Sequence, residues 1–185
     1  MADEDKITIE TFKIITHAVA QSDRLDIMTN HLTQLLVAAL QIKGCAIFAL
    51  NPETSDLEML ANFGLSLTYL FKGPIKADKS IGDALNGKPV IIRDAETDPR
   101  LQYPAETKKE GIRTIVSIPI TFMNDIVGVL RLYHHEVWDI SPQDIDSLHL
   151  LAANIGLAMS YTRLLNIVTT ISEAIGDLPK RLAGF

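Results

Sequence analysis

The side chains of this chain that could do chemistry are few and scattered. Five histidines (His17, His31, His134, His135, His149) and one cysteine, Cys45, are spread over 185 residues. Only His134 and His135 are neighbours, and adjacent residues on a strand point to opposite faces, which disfavours one shared metal. With Glu136 they offer at most half a metal site at a strand's end, against the plainer reading of a solvated turn. Asp144 and Asp146 stand two apart on a helix and do not face each other. Asp94 and Asp98 sit beside Ala95 and Pro99, where acids usually form turns. The sequence contains no GxGxxG, P-loop or HExxH string. No catalytic set and no metal site are expected.

The totals narrow the classes further. With 47% hydrophobic and 22% charged residues the composition is that of a globular protein, long enough to bury a core without staples. A net charge of -6 argues against a nucleic-acid surface, which needs clustered Lys and Arg. The densest basic groups are only Lys108-Lys109 and Lys180-Arg181. One cysteine excludes an intrachain disulfide framework, and Cys45, set among apolar residues, reads as a buried structural thiol. Asp3, Glu4 and Asp5 give the wrong charge for a signal peptide. No apolar run nears the roughly 18 residues of a membrane span. The chain is expected to be cytoplasmic, with neither a nucleic-acid nor a membrane partner.

The elements that must position any site follow from periodicity. Ile7, Phe12, Ile15 and Val19 mark one amphipathic helix to about Ala20. Ser22 can cap a second, whose stripe is Leu25, Met28, Leu32, Leu35, Leu36 and Ala39. Cys45–Leu50 and the alternating Leu57, Met59, Ala61 and Phe63 flank a cluster of turn formers, which predicts a hairpin. From Gly64 to Gly111 the signals are mixed: short helices over Leu67–Phe71 and Ser80–Leu85, a short strand over Val90–Ile92, then a polar stretch to Gly111. Irregular segments that long usually serve a function, and this one reads as a lid over one sheet face. Thr114–Thr121 and Ile126–Tyr133 are strands joined by a turn, and Gly128 hints at a bulge or a close backbone approach.

Ser141-Pro142-Gln143-Asp144 starts the last helix with a capping serine, proline at the first position and an acid in the first turn. Positions 150, 154, 157, 161, 164, 168, 171 and 175 then carry Leu, Asn, Leu, Tyr, Leu, Val, Ile and Ile, the spacing of a coiled-coil seam. Gly176 and Pro179 are expected to end it. A helix over 142–175 is about 51 Å long, whereas a globule of about 140 residues is roughly 37 Å across. The overshoot carries an apolar stripe that a second copy would cover. A homodimer through the terminal helices is therefore expected, the alternative being a helix that folds back near Thr162.

The order of elements and several strings resemble the GAF family: "GCAIFAL" with its partner ending "NFGL", "SIGDALNGKPVIIRDAETDPR", "EGIRTIVSIPI", "IVGVLRLYHH" and "WDISPQDIDSLHLLAANIGLAM". The resemblance covers about residues 22–162. It implies an α+β fold of the profilin-like, GAF/PAS type: an antiparallel sheet in order 2-1-5-4-3, terminal helices on one face, short helices and lid loops on the other. The chain then divides into a helix over 1–21, a core over 22–162 and a helical extension over 163–185, all one stand-alone domain. GAF domains bind small molecules between sheet and lid.

By similarity to cyclic-nucleotide-binding members, Ala46, Phe48, Phe63, Ile81 and Arg131 would line that site, with Tyr103 added from the lid. If the last hairpin pairs straight across Met123-Asn124, Arg131 faces Val116 and Tyr133 faces Thr114 on the same surface. The "NKFDE"-type pattern of those members is absent and Ala46 replaces a polar contact, which argues against a cyclic nucleotide. Arg131 instead points to an anionic or carboxylate ligand, or else snorkels to solvent. Free methionine sulfoxide reductases and bilin-binding members rely on lid cysteines, and this lid has none; neither a covalent chromophore nor an iron-sulfur cluster is expected.

Two functions from different classes remain. One is a non-catalytic, small-molecule-sensing domain whose lid closes over an organic ligand. The other is a structural dimerisation or partner-docking domain whose pocket is filled by its own side chains. An enzyme is a distant third. In either case a signalling protein in trans, or a longer chain of which this is a part, would carry the output.

Overall fold

A computed structural model of the chain describes residues 7–20, 24–51, 53–54, 56–73, 75 and 81–182. Strands β1 (Gly44–Leu50), β2 (Leu57–Phe63), β3 (Val90–Ile92), β4 (Thr114–Phe122) and β5 (Asp125–His134) form one antiparallel sheet in the order β2-β1-β5-β4-β3. The order is the one the family resemblance implies. β1, β4 and β5 are buried along most of their length, so both sheet faces need cover.

Helices α1 (Ile9–Ala20), α2 (Leu25–Leu40) and α6 (Pro142–Leu182) cover one face. Leu32, Leu36 and Leu40 of α2 and Leu148, Leu151 and Ile155 of α6 pack against Cys45, Ile47, Val116, Ile118, Leu130 and Leu132. α2 begins at Leu25 after an extended Arg24; Ser22, the expected cap, lies outside the described residues. α6 starts as its sequence requires, the Ser141 hydroxyl accepting the Asp144 N–H at 3.0 Å. The Asp144 carboxylate in turn accepts the buried N–H of Ile7 at 2.8 Å, tying the lead into α1 to α6. Gly156 lets α6 lie close on the sheet: a Cβ there would sit 2.2 Å from the Thr121 carbonyl oxygen.

The opposite face is covered by α3 (Leu67–Leu70), α4 (Gly82–Leu85), α5 (Pro104–Glu110) and the segments between them. α5 corrects the expectation of an irregular polar stretch before Gly111. Pro104 stands at its first turn, Lys108 and Lys109 in its last, and Gly111 closes it with φ of 76°, all standard helix-boundary signals.

One further expectation is corrected. Gly176 and Pro179 do not end α6, which runs to Leu182; proline keeps a helical φ and its loss of one hydrogen bond falls near the helix end. On α1, Ile15 packs into this chain's own core with Phe12 against it, and among the described side chains of that helix Ile9 and Ile14 are exposed.

α6 is apolar on two sides. Leu148, Leu151, Ala152, Ile155 and Met159 face the sheet. Leu150, Leu157, Tyr161, Leu164, Val168, Ile171 and Ile175 are each 53–61% exposed. At about 100° of turn per residue the two sets lie on roughly opposite sides of the helix. From Arg163 onward no described residue of α6 is buried. No helix among the described residues is long and apolar enough to cross a membrane.

Candidate functional site

The face beneath the lid is organised in rows across the strands. Ile92, Ile115, Tyr133 and Gly44 make one row, and Val90, Ser117, Arg131 and Ala46 the next. The second row holds the polar groups. Arg131 is only 3% exposed and Ser117 is fully buried, and the Ser117 hydroxyl has no hydrogen-bond partner. The Arg131 guanidinium lies near the face of the Tyr133 ring, 5.7 Å from the centroid.

The lid supplies the other wall. Tyr69 of α3 is buried and meets Tyr133 edge to face, with ring centroids 5.9 Å apart. The Tyr69 and Thr107 hydroxyls are 3.4 Å apart, and the Thr107 hydroxyl donates to the Tyr103 carbonyl at 2.7 Å. Lys72 donates to the Tyr69 carbonyl at 2.9 Å and sits over the Tyr69 ring, 3.6 Å from its centre. Burial and the nearby Arg131 charge hold the Lys72 ammonium down to about 8, against the pull of Glu106 and Glu110. Tyr69, Lys72, Ile75, Leu101, Gln102, Tyr103, Thr107 and Arg131 enclose about 10 Å³, room for roughly one water.

Of the residues expected in the site, Ala46, Phe48 and Tyr133 lie in the lid-side core with Tyr69 and Ile115. Arg131 and Tyr103 meet in the small space just described. Ile81 packs next to them with Ala84, Val90 and Val129. Three expected residues are elsewhere, and β-bulges are the reason. Val127 is an extra residue between the pairs Thr121–Ile126 and Ile120–Gly128. Arg131 therefore faces Ser117, and Tyr133 faces Ile115, not Val116 and Thr114.

A one-residue slip moves a side chain to the other face. Val116 accordingly packs against the helices. The Thr114 hydroxyl accepts the Trp138 N–H at 2.8 Å and lies within 3.0 Å of the Arg93 and Glu136 carbonyls. Leu60 is the extra residue of a second bulge, which pairs Phe63 with Cys45. That turns Phe63 to the helix side, where it is 43% exposed. Lys72, Tyr69, Thr107 and Ser117 were missed, because only the lid's path brings the first three to Arg131.

The other chemical candidates are accounted for. Asp94 and Asp98 are turn formers, accepting the N–H groups of Glu96 and Arg100 two residues on. Asp94 also pairs with Arg113 at 3.2 Å. Burial raises the pKa of the Cys45 thiol, the opposite of what a nucleophile needs. The His134 and His135 rings stack at 4.7 Å instead of pointing apart, and with Glu136 their donor atoms lie within 4.8 Å of one another. His134 Nδ1, however, already accepts the Glu136 N–H at 2.9 Å.

Known proteins give the same fold. A family model described as GAF domain matches residues 22–160. The GAF domain of a phosphoenolpyruvate-protein phosphotransferase from Coxiella burnetii superposes with a TM-score of 0.76 at 19% identity, over 86% of this chain and 96% of that one. The equivalent Acinetobacter domain gives 0.73 at 15% identity, over 85% and 96%. Free methionine-R-sulfoxide reductase from Neisseria meningitidis, in complex with its substrate, gives 0.70 at 14%, over 89% and 98%. The comparison with curated proteins finds no match.

A pH test follows from Lys72. Its pKa is lower in the fold, about 8, than its ordinary 10.5, so between these values the unfolded chain holds the extra proton. This group's contribution to stability therefore rises with pH across that window. In urea titrations, wild type minus Lys72→Met should show that rise from pH 8 to 10.5; a difference flat with pH contradicts the assignment.

Proposed function

The chain belongs to the GAF domain family, and on that premise we propose that it is a small-molecule-sensing regulatory domain that works as a homodimer and catalyses no reaction. The observation that carries the sensing half is the buried polar row beneath the lid. A guanidinium and a hydroxyl at the centre of an otherwise apolar face cost several kcal/mol to desolvate, and a domain that needed only to fold would place apolar side chains there. The cover above them is built of short helices and irregular segments, of the kind that open at low cost.

The dimer half is supported by the outward side of α6. Seven half-exposed apolar side chains per copy, at roughly 1 kcal/mol each, supply about 14 kcal/mol when two copies pair. That is near the top of the range of about 4–15 kcal/mol that association costs. The non-catalytic reading is supported by Cys45, which is buried in β1 and away from the lid.

One observation favours the structural reading: the closed lid leaves only about 10 Å³ beside Arg131. A thermal-shift panel of nucleotides, amino acids, keto acids and aromatics separates the two. A ligand at 100 times its dissociation constant stabilises by about 2.7 kcal/mol, and the sensing reading expects at least one compound to do so. Silence across the panel favours the docking domain. For the dimer, sedimentation velocity at micromolar concentration should give two copies for the wild type and one for Leu164→Glu/Val168→Glu, with the near-ultraviolet circular dichroism of the buried Trp138, Tyr69 and Tyr133 unchanged. A monomeric wild type contradicts it.

A further inference from the structure

We propose that the second copy pairs with α6 in parallel and in register, as a two-stranded coiled coil whose register is set by Asn154. The inference rests on the dimer reading and fixes its geometry. On the outward side of α6, Leu150, Leu157, Leu164 and Ile171 stand seven apart. Four residues on from these, Asn154, Tyr161, Val168 and Ile175 form a second row of the same spacing. Alternating steps of four and three place the first row at d and the second at a, over nearly four heptads. Leucine dominates d, and the overhang carries the β-branched Val168 and Ile175 at a. That division favours parallel, two-stranded pairing.

The flanks of the stripe suit two strands. Beside it Ala153, Ala158, Ser160, Ser172 and Ala174 are small, and only Leu165 and Ile167 are large. A bundle of more helices needs an apolar flank along the whole length. Asn154, half-buried, decides the orientation. The stripe has the same spacing read in either direction, so antiparallel pairing would also bring the rows together, with Asn154 against Ile171. The Asn154 Nδ2 donates one N–H to the Leu150 carbonyl at 2.9 Å. In the parallel pair the rest of that amide meets the partner's Asn154 and is satisfied; against Ile171 it is covered without a polar partner. Parallel pairing also sends both overhangs out from one end of the dimer, as a single stalk over residues 163–175.

Disulfide trapping in the full chain tests the orientation. Cys45 is fully buried in β1 and does not compete. The single variants Leu157→Cys and Ile171→Cys, both at exposed positions, are oxidised with diamide and run on a non-reducing gel. A mixture of the Leu157→Cys and Val168→Cys chains serves as the antiparallel control. Parallel pairing sets each position opposite itself, so both single variants should run almost wholly as covalent pairs of chains. In an antiparallel pair centred on the stripe the partner's Ile171 lies ~25 Å away along the helix, and the self-pairs should be lost. Asn154→Val should turn a strict pair into a mixture that includes three or more copies in sedimentation velocity.

Absence of either self-pair overturns the proposal, as does a disulfide joining the Leu157→Cys chain to the Val168→Cys chain in their place. Either result with two copies in sedimentation velocity leaves the dimer standing in another geometry. A single copy removes the dimer and its geometry together. Asn154→Val that stays strictly at two copies overturns Asn154 as the residue that sets the register.

Discussion

The structure depends on a sheet whose central strands have no solvent side. β1, β4 and β5 carry buried residues on both faces, so the chain must supply two covers, and it makes them differently. One is three helices with long apolar stripes meeting Ile47, Val116, Ile118 and Leu130. The other is a patchwork of four- to seven-residue helices pinned at a few polar points: Ser66 to Glu110, Arg113 to Asp94, and Arg100 to the Ile91 carbonyl. Helices that short have little stability of their own, so the lid is held by its anchors and by Tyr69 and Ile112 beneath it.

The two covers are joined through β4. The Thr114 hydroxyl lies against the carbonyl of Arg93, which leads into the lid, and against that of Glu136; it also accepts the N–H of Trp138, which leads into α6. Arg113 beside it accepts the Ala95 N–H at 2.7 Å and donates its own to His134 at 2.8 Å. A displacement of the 93–95 segment thus meets the start of the long helix within a few hydrogen bonds. This is physical continuity; coupling additionally requires two arrangements that both ends bias.

Much of this was legible in the residues. The period change at Gly44, the capping string before Asp144 and the helical apolar stripe from Leu150 to Ile175 each reflect one dominant local rule, and the strand, the helix start and the exposed stripe are where those rules put them. The sheet order came from resemblance and could not come from periodicity, because strand neighbours are chosen by long-range packing. The lid-face residues were partly misplaced for a single physical reason. Side-chain direction in a strand has period two, so each unseen bulge inverts everything beyond it. Val127 did this to Val116 and Thr114, and Leu60 did it to Phe63. Gly128 was a usable signal for the first: a Cβ there would lie 2.2 Å from the Phe48 carbonyl oxygen. No comparable signal marks Leu60. Lys72 and Tyr69 were illegible because only the lid's tertiary path brings them to Arg131.

In the proposed dimer α6 has two jobs, one side fastened to its own sheet and the other to a second copy. Hydrogen exchange of the amides over residues 163–175 tests it most directly. These residues are all exposed in one copy, several of them lining an open groove beside Leu25, Leu60 and Ile126, so a lone overhang should exchange far faster than the turns of α6 packed on the sheet. A paired overhang should be protected nearly as well as residues 148–159 and lose that protection on dilution. Rapid exchange at every protein concentration would contradict the claim.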